Sequence, residues 1–381
     1  MAELILNKVS NYTMSGLKIP FFGVDRQYKT LREEIMDAMD EVYQTGQVLD
    51  GPCTRAFEEA VAQRCGRQWA VAVGSCTQGL VFAQQACIPA ESQVLIPTLS
   101  FAATINSVLY AGHTPVFCDT DYRALIDLES MDTALTGAGV DCIMYANLFG
   151  HVIDWDRFRL QTEFFNDDIL VIEDAAQSFG ASYKGMPSGS LGHISVLSFD
   201  PTKNLNNYGS GGMVLTDSYS VYEDLLDLRD NGKKMDHQAH GTNSKMSEAD
   251  CAAMLVKLEY FDSWQQRRTD IAEYYTQELD GYVDIVAPGA DVESAWSKFV
   301  IRLTERHGLK DYLRSEGIDT RFNYDKPLFE LSVGYNYIDY ARELFRESTA
   351  FSRECLSLPI YPELTDTEVE IVAESIINYL R

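Results

Sequence analysis

Three short segments of the 381-residue chain bring together residue types that could do chemistry. In V-I-E-D-A-A-Q-S-F-G, Glu173 and Asp174 close an apolar, strand-like run. In S-F-D-P-T-K-N-L-N-N-Y-G-S-G-G, Lys203 stands in a loop among asparagines and glycines, a backbone suited to close approach of a ligand. In G-S-C-T-Q-G, Gly74 to Gly79 follow a strand and open a helix, so backbone N–H groups and the hydroxyls of Ser75 and Thr77 form a cup for an anion. Each has a plain structural reading on its own: Asp174 as a helix cap, Lys203 as a solvated charge, the turn as an ordinary strand-to-helix connection. Together, an anion cup, a carboxylate and a lysine at three strand ends form a set that one chemistry needs as a whole. Pyridoxal phosphate catalysis uses a lysine amine to condense with the aldehyde, a carboxylate to keep the pyridine nitrogen protonated, and a separate anchor for the phosphate. Phe101, in T-L-S-F-A-A-T, adds an aromatic face for the pyridine ring.

The elements that must hold these residues show as an alternation. Through the first two-thirds of the chain, short apolar runs alternate with longer amphipathic segments, the pattern of an α/β layer structure with a largely parallel sheet. The candidate strands are Ala70–Val73, Val94–Pro97, Thr114–Cys118, Cys142–Tyr145, Ile169–Ile172, Ile194–Phe199 and Gly212–Thr216. Several are nearly all apolar, as strands covered on both faces should be. Helical stretches lie between them, among them Thr77–Cys87, with Ser75 and Thr77 as cap candidates, and Phe101–Ala111, opened by Ser100. Ligand crevices in such sheets lie at strand ends. Beyond about Ser218 the texture changes to a helix over Tyr222–Asp230, a polar stretch over Gly232–Lys245 and a long helix over Glu248–Leu279. Strands at Phe299–Leu303 and Thr320–Tyr324 and a closing helix over Thr367–Leu380 complete the pattern. The expected fold is α/β, a three-layer αβα arrangement with a mostly parallel seven-stranded sheet, plus a smaller C-terminal α+β domain. The expected division is an N-terminal extension over 1–18, a large cofactor-binding domain over 19–250 and a small domain over 251–381.

Composition narrows the partners. Lys and Arg number 31 against 57 Asp and Glu, a formal net charge of −26, with no basic block. Nucleic acids and anionic membranes are bound through clustered cations that release counterions, so neither is an expected partner. The eight cysteines stand singly, with neither C-x-x-C nor a histidine spaced for zinc, so no metal and a reducing compartment are expected. There is no secretory leader pattern and no apolar run near the roughly 20 residues of a membrane span, which points to the cytoplasm.

With these motifs in view, the chain resembles the DegT, DnrJ, EryC1 and StrS family of sugar aminotransferases, within the aspartate-aminotransferase fold. The likeness runs from Ile19-Pro20-Phe21-Phe22 to Ser357-Leu358-Pro359-Ile360-Tyr361-Pro362. It implies that pyridoxal 5'-phosphate is the cofactor, its phosphate held by Ser75, the Cys76 backbone, Thr77 and Ser198. It further implies that Phe101 stacks on the ring, Asp174 faces the pyridine nitrogen, Gln177 lies near the ring hydroxyl and Lys203 is the catalytic lysine. Asn243-Ser244-Lys245 resembles the family's N-S-R, whose Asn reaches the cofactor phosphate of the neighbouring subunit, so a homodimer with shared active sites is implied. The implied reaction moves an amino group from an amino-acid donor, glutamate, to a keto-sugar linked to a nucleotide. Some members carry His in place of Lys203 and act as dehydratases, a reading that Lys203 argues against.

The departures from the family pattern lie toward the substrate. K-N-L-N-N-Y-G-S-G-G resembles the longer loop of members that aminate C3, with Ser210 in place of an acid. Ser297 stands where many members have His, and Asn323-Tyr324-Asp325-Lys326-Pro327-Leu328-Phe329 matches H-Y-P-x-P-L-H without either His. A nucleotide-sugar is anionic, so an acidic chain must gather local cations for it. Arg26, Lys29, Arg321 and Lys326 are the candidates, each with a solvated surface charge as its plain reading. His113 is expected in a structural turn, His151 near the pocket mouth, and His237 and His240 in the polar loop before Asn243. Two other readings stay open: a pyridoxal enzyme acting on a non-nucleotide keto-sugar or cyclitol, and a cofactor-binding regulatory protein without turnover.

Overall fold

The structure is a computed structural model and describes residues 18–165, 169–235, 240–334 and 341–381. Its main sheet is built of β1 (Trp69–Val73), β2 (Gln93–Pro97), β3 (Thr114–Cys118), β4 (Cys142–Ala146), β5 (Leu170–Asp174), β6 (Ile194–Ser198) and β7 (Gly212–Thr216). Their order across the sheet is β1-β7-β6-β5-β4-β2-β3. All neighbours run parallel except β7, which is antiparallel to both β1 and β6. Each of the seven strands anticipated for this sheet is present, its ends displaced by no more than one or two residues.

The strands are largely apolar because helices cover both faces. Successive side chains of a strand point to opposite sides, and the two sets enter different cores. Val71, Val73, Ile96, Met144, Val196 and Val214 pack with Leu80, Ile105 and Leu225 of the helices Cys76–Cys87, Ala103–Tyr110 and Tyr219–Arg229. On the other side, Ala72, Leu197, Met213 and Leu215 meet Phe57 of the Pro52–Arg64 helix and Met254 and Phe261 of the long Glu248–Leu279 helix. Leu95, Ile143 and Val171 meet Phe158 of the Trp155–Phe165 helix there.

The far half of the long helix belongs to a second core. Ile271, Tyr275 and Leu279 pack with the small antiparallel sheet of β8 (Asp284–Ile285), β9 (Phe299–Arg302) and β10 (Cys355–Leu358), and with the helices Arg306–Ser315 and Asp366–Leu380. Ile19 joins this core through a bridge to Ile318. One long helix therefore runs under the main sheet at its start and closes the small unit at its end.

Two expectations are corrected. Thr320–Tyr324 is not a strand: Arg321 makes a single bridge to Ser357, and Phe322 to Tyr324 turn away to wall a cavity, leaving Cys355–Leu358 as the third strand. The helix expected from Phe101 begins at Ala103, because the Ser100 hydroxyl pairs with Thr104 Oγ1 at 2.7 Å instead of capping an amide. Apart from Lys18, the N-terminal extension lies outside the described residues. Among the described residues no helix is long and apolar enough to cross a membrane.

Candidate active site

A cavity of about 440 Å³ opens at the carboxyl edge of the main sheet. Ser75, Cys76 and Thr77 reach it from the turn after β1, Phe101 from the turn after β2, Asp174 from the end of β5, Ser198 from the end of β6, and Lys203 from the loop that follows. Gln177 borders the same space. The sequence thus placed these eight on one wall, and the structure brings them together.

The anion cup forms because a helix start leaves amides without acceptors. Ser75 caps the Cys76–Cys87 helix by accepting from Gln78 N at 3.2 Å, and the amides of Cys76 and Thr77 have no partner within the helix. Gly212 opens β7 between Val73 and Ser198 in register, against this turn. A Cβ there would stand 2.6 Å from Cys76 N, so only glycine lets β7 come this close. Gly74 donates to Ser244 O at 2.7 Å, which docks the Asn243-Ser244-Lys245 segment on the back of the turn. Asn243 itself is exposed, bridges to Asp230, and does not border its own chain's cavity.

Adjacent acids on β5 do different work, because they point to opposite faces. Glu173 is fully buried away from the cavity and accepts from Asn147 Nδ2 (2.9 Å), Ser188 Oγ (2.7 Å), Ser195 Oγ (2.8 Å) and the amides of Gly189 and Leu191 (3.0 Å each). That is a structural knot. Asp174 borders the cavity with a lighter set of partners, Ala176 N at 3.1 Å and Thr104 Oγ1 at 3.3 Å. Burial pushes its carboxyl up, opposed by the Ala176 amide, the Lys203 ammonium and the Thr104 hydroxyl. A cation placed beside it would be strongly attracted.

Lys203 is held by its backbone. Its amide donates to Asp200 O at 2.9 Å, and Asp200 Oδ1 in turn accepts from the Thr202 amide and hydroxyl at 3.0 and 2.7 Å. Below the continuing loop, buried Lys257 donates to Asn206 O at 2.6 Å and sits 3.6 Å from the Tyr208 ring centre. Desolvation lowers the Lys257 ammonium to about 7. Gln177 spans the cavity floor, accepting from Phe149 N at 3.1 Å and donating to Tyr324 Oη at 2.9 Å.

The opposite wall comes from Phe21, Phe22, Lys298 and Arg321 to Tyr324. Of the four cations expected to meet substrate, Arg321 alone borders the cavity. Arg26 is bound through both guanidinium nitrogens to the Glu368 carboxylate at 2.7 Å, Lys29 pairs with Asp25 at 3.0 Å on the surface, and Lys326 is exposed beyond the wall. His151 is not at the mouth: it is buried between Ser294 Oγ (2.9 Å) and Val286 O (3.0 Å). His113 accepts from Ser92 N at 3.2 Å in a structural turn, His240 is exposed, and His237 lies outside the described residues. Lys298 and Tyr324 also border the cavity, although no role for either is expected from the sequence. A charge heading a buried strand, in W-S-K-F-V-I-R, is the signal that could have found Lys298.

These groups fit pyridoxal phosphate. The cup offers the amides of Cys76 and Thr77 and the hydroxyls of Ser75 and Thr77 to a phosphate, glycine at 212 keeps it open, and a buried carboxylate and a lysine border the same space. Among the described residues no group of three His, Cys, Asp or Glu could hold a metal ion.

Comparison with known proteins agrees with this geometry. The DegT/DnrJ/EryC1/StrS aminotransferase family matches residues 29–377. The chain is 31% identical to a pleiotropic regulatory protein of Geobacillus stearothermophilus over 96% of its own length and 99% of that protein. It is likewise 31% identical to the dTDP-3-amino-3,4,6-trideoxy-alpha-D-glucose transaminase of Streptomyces venezuelae, over 91% of this chain and 92% of the relative. Among solved structures, S. venezuelae DesV in complex with a ketimine intermediate superposes with a TM-score of 0.91 at 29% identity, covering 95% of this chain and 98% of the other.

Proposed function

The chain belongs to the DegT/DnrJ/EryC1/StrS aminotransferase family, whose enzymes depend on pyridoxal phosphate, and we propose that it aminates C3 of a nucleotide-linked keto-sugar with glutamate as donor. The observation that carries this reading is the convergence of Lys203, Asp174 and the Ser75–Thr77 cup on one cavity. The C3 assignment is supported by the name of the S. venezuelae relative and by the long loop after Lys203.

When bound, pyridoxal phosphate supplies an aldehyde that condenses with amines and a ring that takes up the electrons left when a C–H proton departs. The chain's own residues do the rest. The hydroxyls of Ser75, Thr77 and Ser198 and the amides of Cys76 and Thr77 bind the phosphate at a helix N-terminus. Asp174, ionised, holds the proton on the pyridine nitrogen; an amide could not. Phe101 would offer its face to the ring, and Gln177, held by its bonds to Phe149 and Tyr324, would be the partner for the ring hydroxyl. The ε-amine of Lys203 would take the departing proton and deliver it to the carbon on the other side of the transferred nitrogen. Arg321 meets the anionic nucleotide at the cavity rim.

The exposure of Asn243, away from its own cavity, supports a homodimer in which Asn243 of the partner subunit completes each phosphate site. We place the reaction in the cytoplasm, in a chain divided into a large cofactor domain to about residue 250 and a small domain beyond. The direct test is incubation with glutamate and a panel of nucleotide-linked keto-sugars, with mass detection of the amino-sugar. No product from any nucleotide-linked substrate, with product from a free keto-sugar or cyclitol, would overturn the assignment.

The name of the G. stearothermophilus relative favours one second reading, a regulatory protein without turnover. A yellow protein bleached by glutamate with release of 2-oxoglutarate excludes it.

A further inference from the structure

Lys298 heads β9 in the wall facing the cofactor groups, 6% exposed yet bordering the cavity. Its backbone is docked on the loop after β4 by a hydrogen bond from Lys298 N to Phe149 O at 3.3 Å, next to that from Ala295 N to Gly150 O at 2.9 Å. An ammonium has three N–H donors. Main-chain carbonyls take two of them, Ser297 O at 2.9 Å and Thr202 O at 3.4 Å. No ion pair is made by Lys298 among the described residues, whereas Lys29, Lys184 and Lys233 on the surface each hold a carboxylate. The nearby acid, Asp200, has Oδ1 bound to the Thr202 amide and hydroxyl.

The surroundings of the ammonium are otherwise aromatic and cationic. Nζ lies 5.0 Å from the Phe22 ring centre and 5.9 Å from that of Phe21, and the Arg321 guanidinium stands 5.9 Å from the Phe21 ring. Burial, and then the charges of Lys203 and Arg268, disfavour the protonated form, with only Asp200 opposing. A buried cation of this kind is unfavourable unless an anion shares its space.

We propose that Lys298 is the carboxylate subsite of the reaction, its third N–H donating to a carboxylate of the amino-acid donor. This rests on the reading of the chain as an aminotransferase with an amino-acid donor. Two substrate groups have the required chemistry, the donor carboxylate and the nucleotide diphosphate. The enclosed position of Lys298, backed by two phenyl rings, suits the compact carboxylate. Arg321, with a side chain 47% exposed and paired to Asp319 at 2.7 Å, stands at the rim where a larger diphosphate can be met.

The test compares Lys298→Met and Lys298→Arg holoenzymes with the parent. Glutamate alone is titrated by cofactor absorbance, the unreactive dicarboxylate succinate by calorimetry, and the acceptor by steady-state KM. Losing one charge-assisted hydrogen bond corresponds to a fall of about 10- to 150-fold in affinity. Lys298→Met is expected to lose that much for both glutamate and succinate, keep the parent's cofactor absorbance and leave the acceptor KM unchanged, with Lys298→Arg recovering part of the loss. Lys298→Gln, which keeps a donor for the carbonyls and removes the charge, reports the same losses if the Met variant fails to fold. Unchanged donor and succinate affinity, equal losses for donor and acceptor, or a loss confined to the nucleotide-sugar each overturn the proposal. The half-reaction and the succinate titration need no sugar, so failure to find the acceptor leaves this result standing. A parent enzyme that glutamate does not bleach would count against the aminotransferase reading, with succinate binding still testing Lys298.

Discussion

The two ends of the cavity are built in different ways. At the cofactor end, Ser75, Asp174, Ser198 and Lys203 stand on or just after strands of one sheet, each fixed by a bond to its own neighbourhood. At the substrate end, Phe21, Lys298, Arg321 and Tyr324 come from segments far apart in the chain, and they meet through the small unit. At the cofactor end Ser75, Asp174 and Ser198 have hydrogen-bond partners of their own; at the substrate end Arg321 pairs with Asp319, while Lys298 is held only by main-chain carbonyls. Lys298 is buried there with carbonyl partners and no ion pair among the described residues. An acidic chain has thus left one buried cation without a carboxylate partner at a cavity whose lining also carries Asp174 and Asp200.

Substitutions at the two ends should therefore separate cleanly. The largest effect is expected for Lys203→Ala, which should lower turnover by about four orders of magnitude while nucleotide-sugar binding, measured by calorimetry, persists. Residual transamination near the parent rate would break the assignment. Asp174→Asn should cost about 10²- to 10³-fold in kcat with Tm within a few degrees of the parent, since the change removes a desolvated charge and keeps the shape. An unchanged rate would reduce Asp174 to a cap.

The seam between the two ends is open to a pH test. Burial lowers His151 from 6.5 to about 4, so the folded state holds it neutral between Ser294 and Val286. The contribution is present above pH 6.5 and lost as pH falls toward 4, because the unfolded chain binds the proton first. It amounts to about 3 kcal/mol at the acid limit. Melting curves from pH 7.5 to 4.5 should fall more steeply for the parent than for His151→Gln, and parallel curves would count against this.

Smaller effects sharpen the comparison. Arg321→Ala should raise the acceptor KM about 10-fold and leave the glutamate half-reaction untouched. A change in cofactor absorbance would show that the ends are not separate. Phe101→Ala should weaken cofactor retention by about 3- to 10-fold, read by dialysis and absorbance, in line with the worth of one ring contact.

The same division explains what could be read in advance. Ser75 to Thr77, Asp174 and Lys203 follow apolar strands directly, so pattern and chemistry lie within one window of sequence. Arg26 and Lys29 stand out by charge alone, and charge does not reveal that Glu368, in the capping box of the last helix, already occupies Arg26. Thr320–Tyr324 alternates like a strand, yet its partner in space is the cavity. Lys298 is adjacent to Thr202 only after the loop following β4 has docked, a contact that no local window contains.

The reversed direction of β7 has one more effect. Ser198 and Gly212 face each other in register, so the loop bearing Lys203 leaves the sheet and rejoins it at the same point. Closing a loop costs only slowly more as it lengthens, about 0.6 kcal/mol per doubling. Residues can therefore be added to or taken from the stretch after Lys203 without moving the strands that carry the phosphate cup. The span of that stretch can vary while Lys203, its amide tied to Asp200 O, stays where it is.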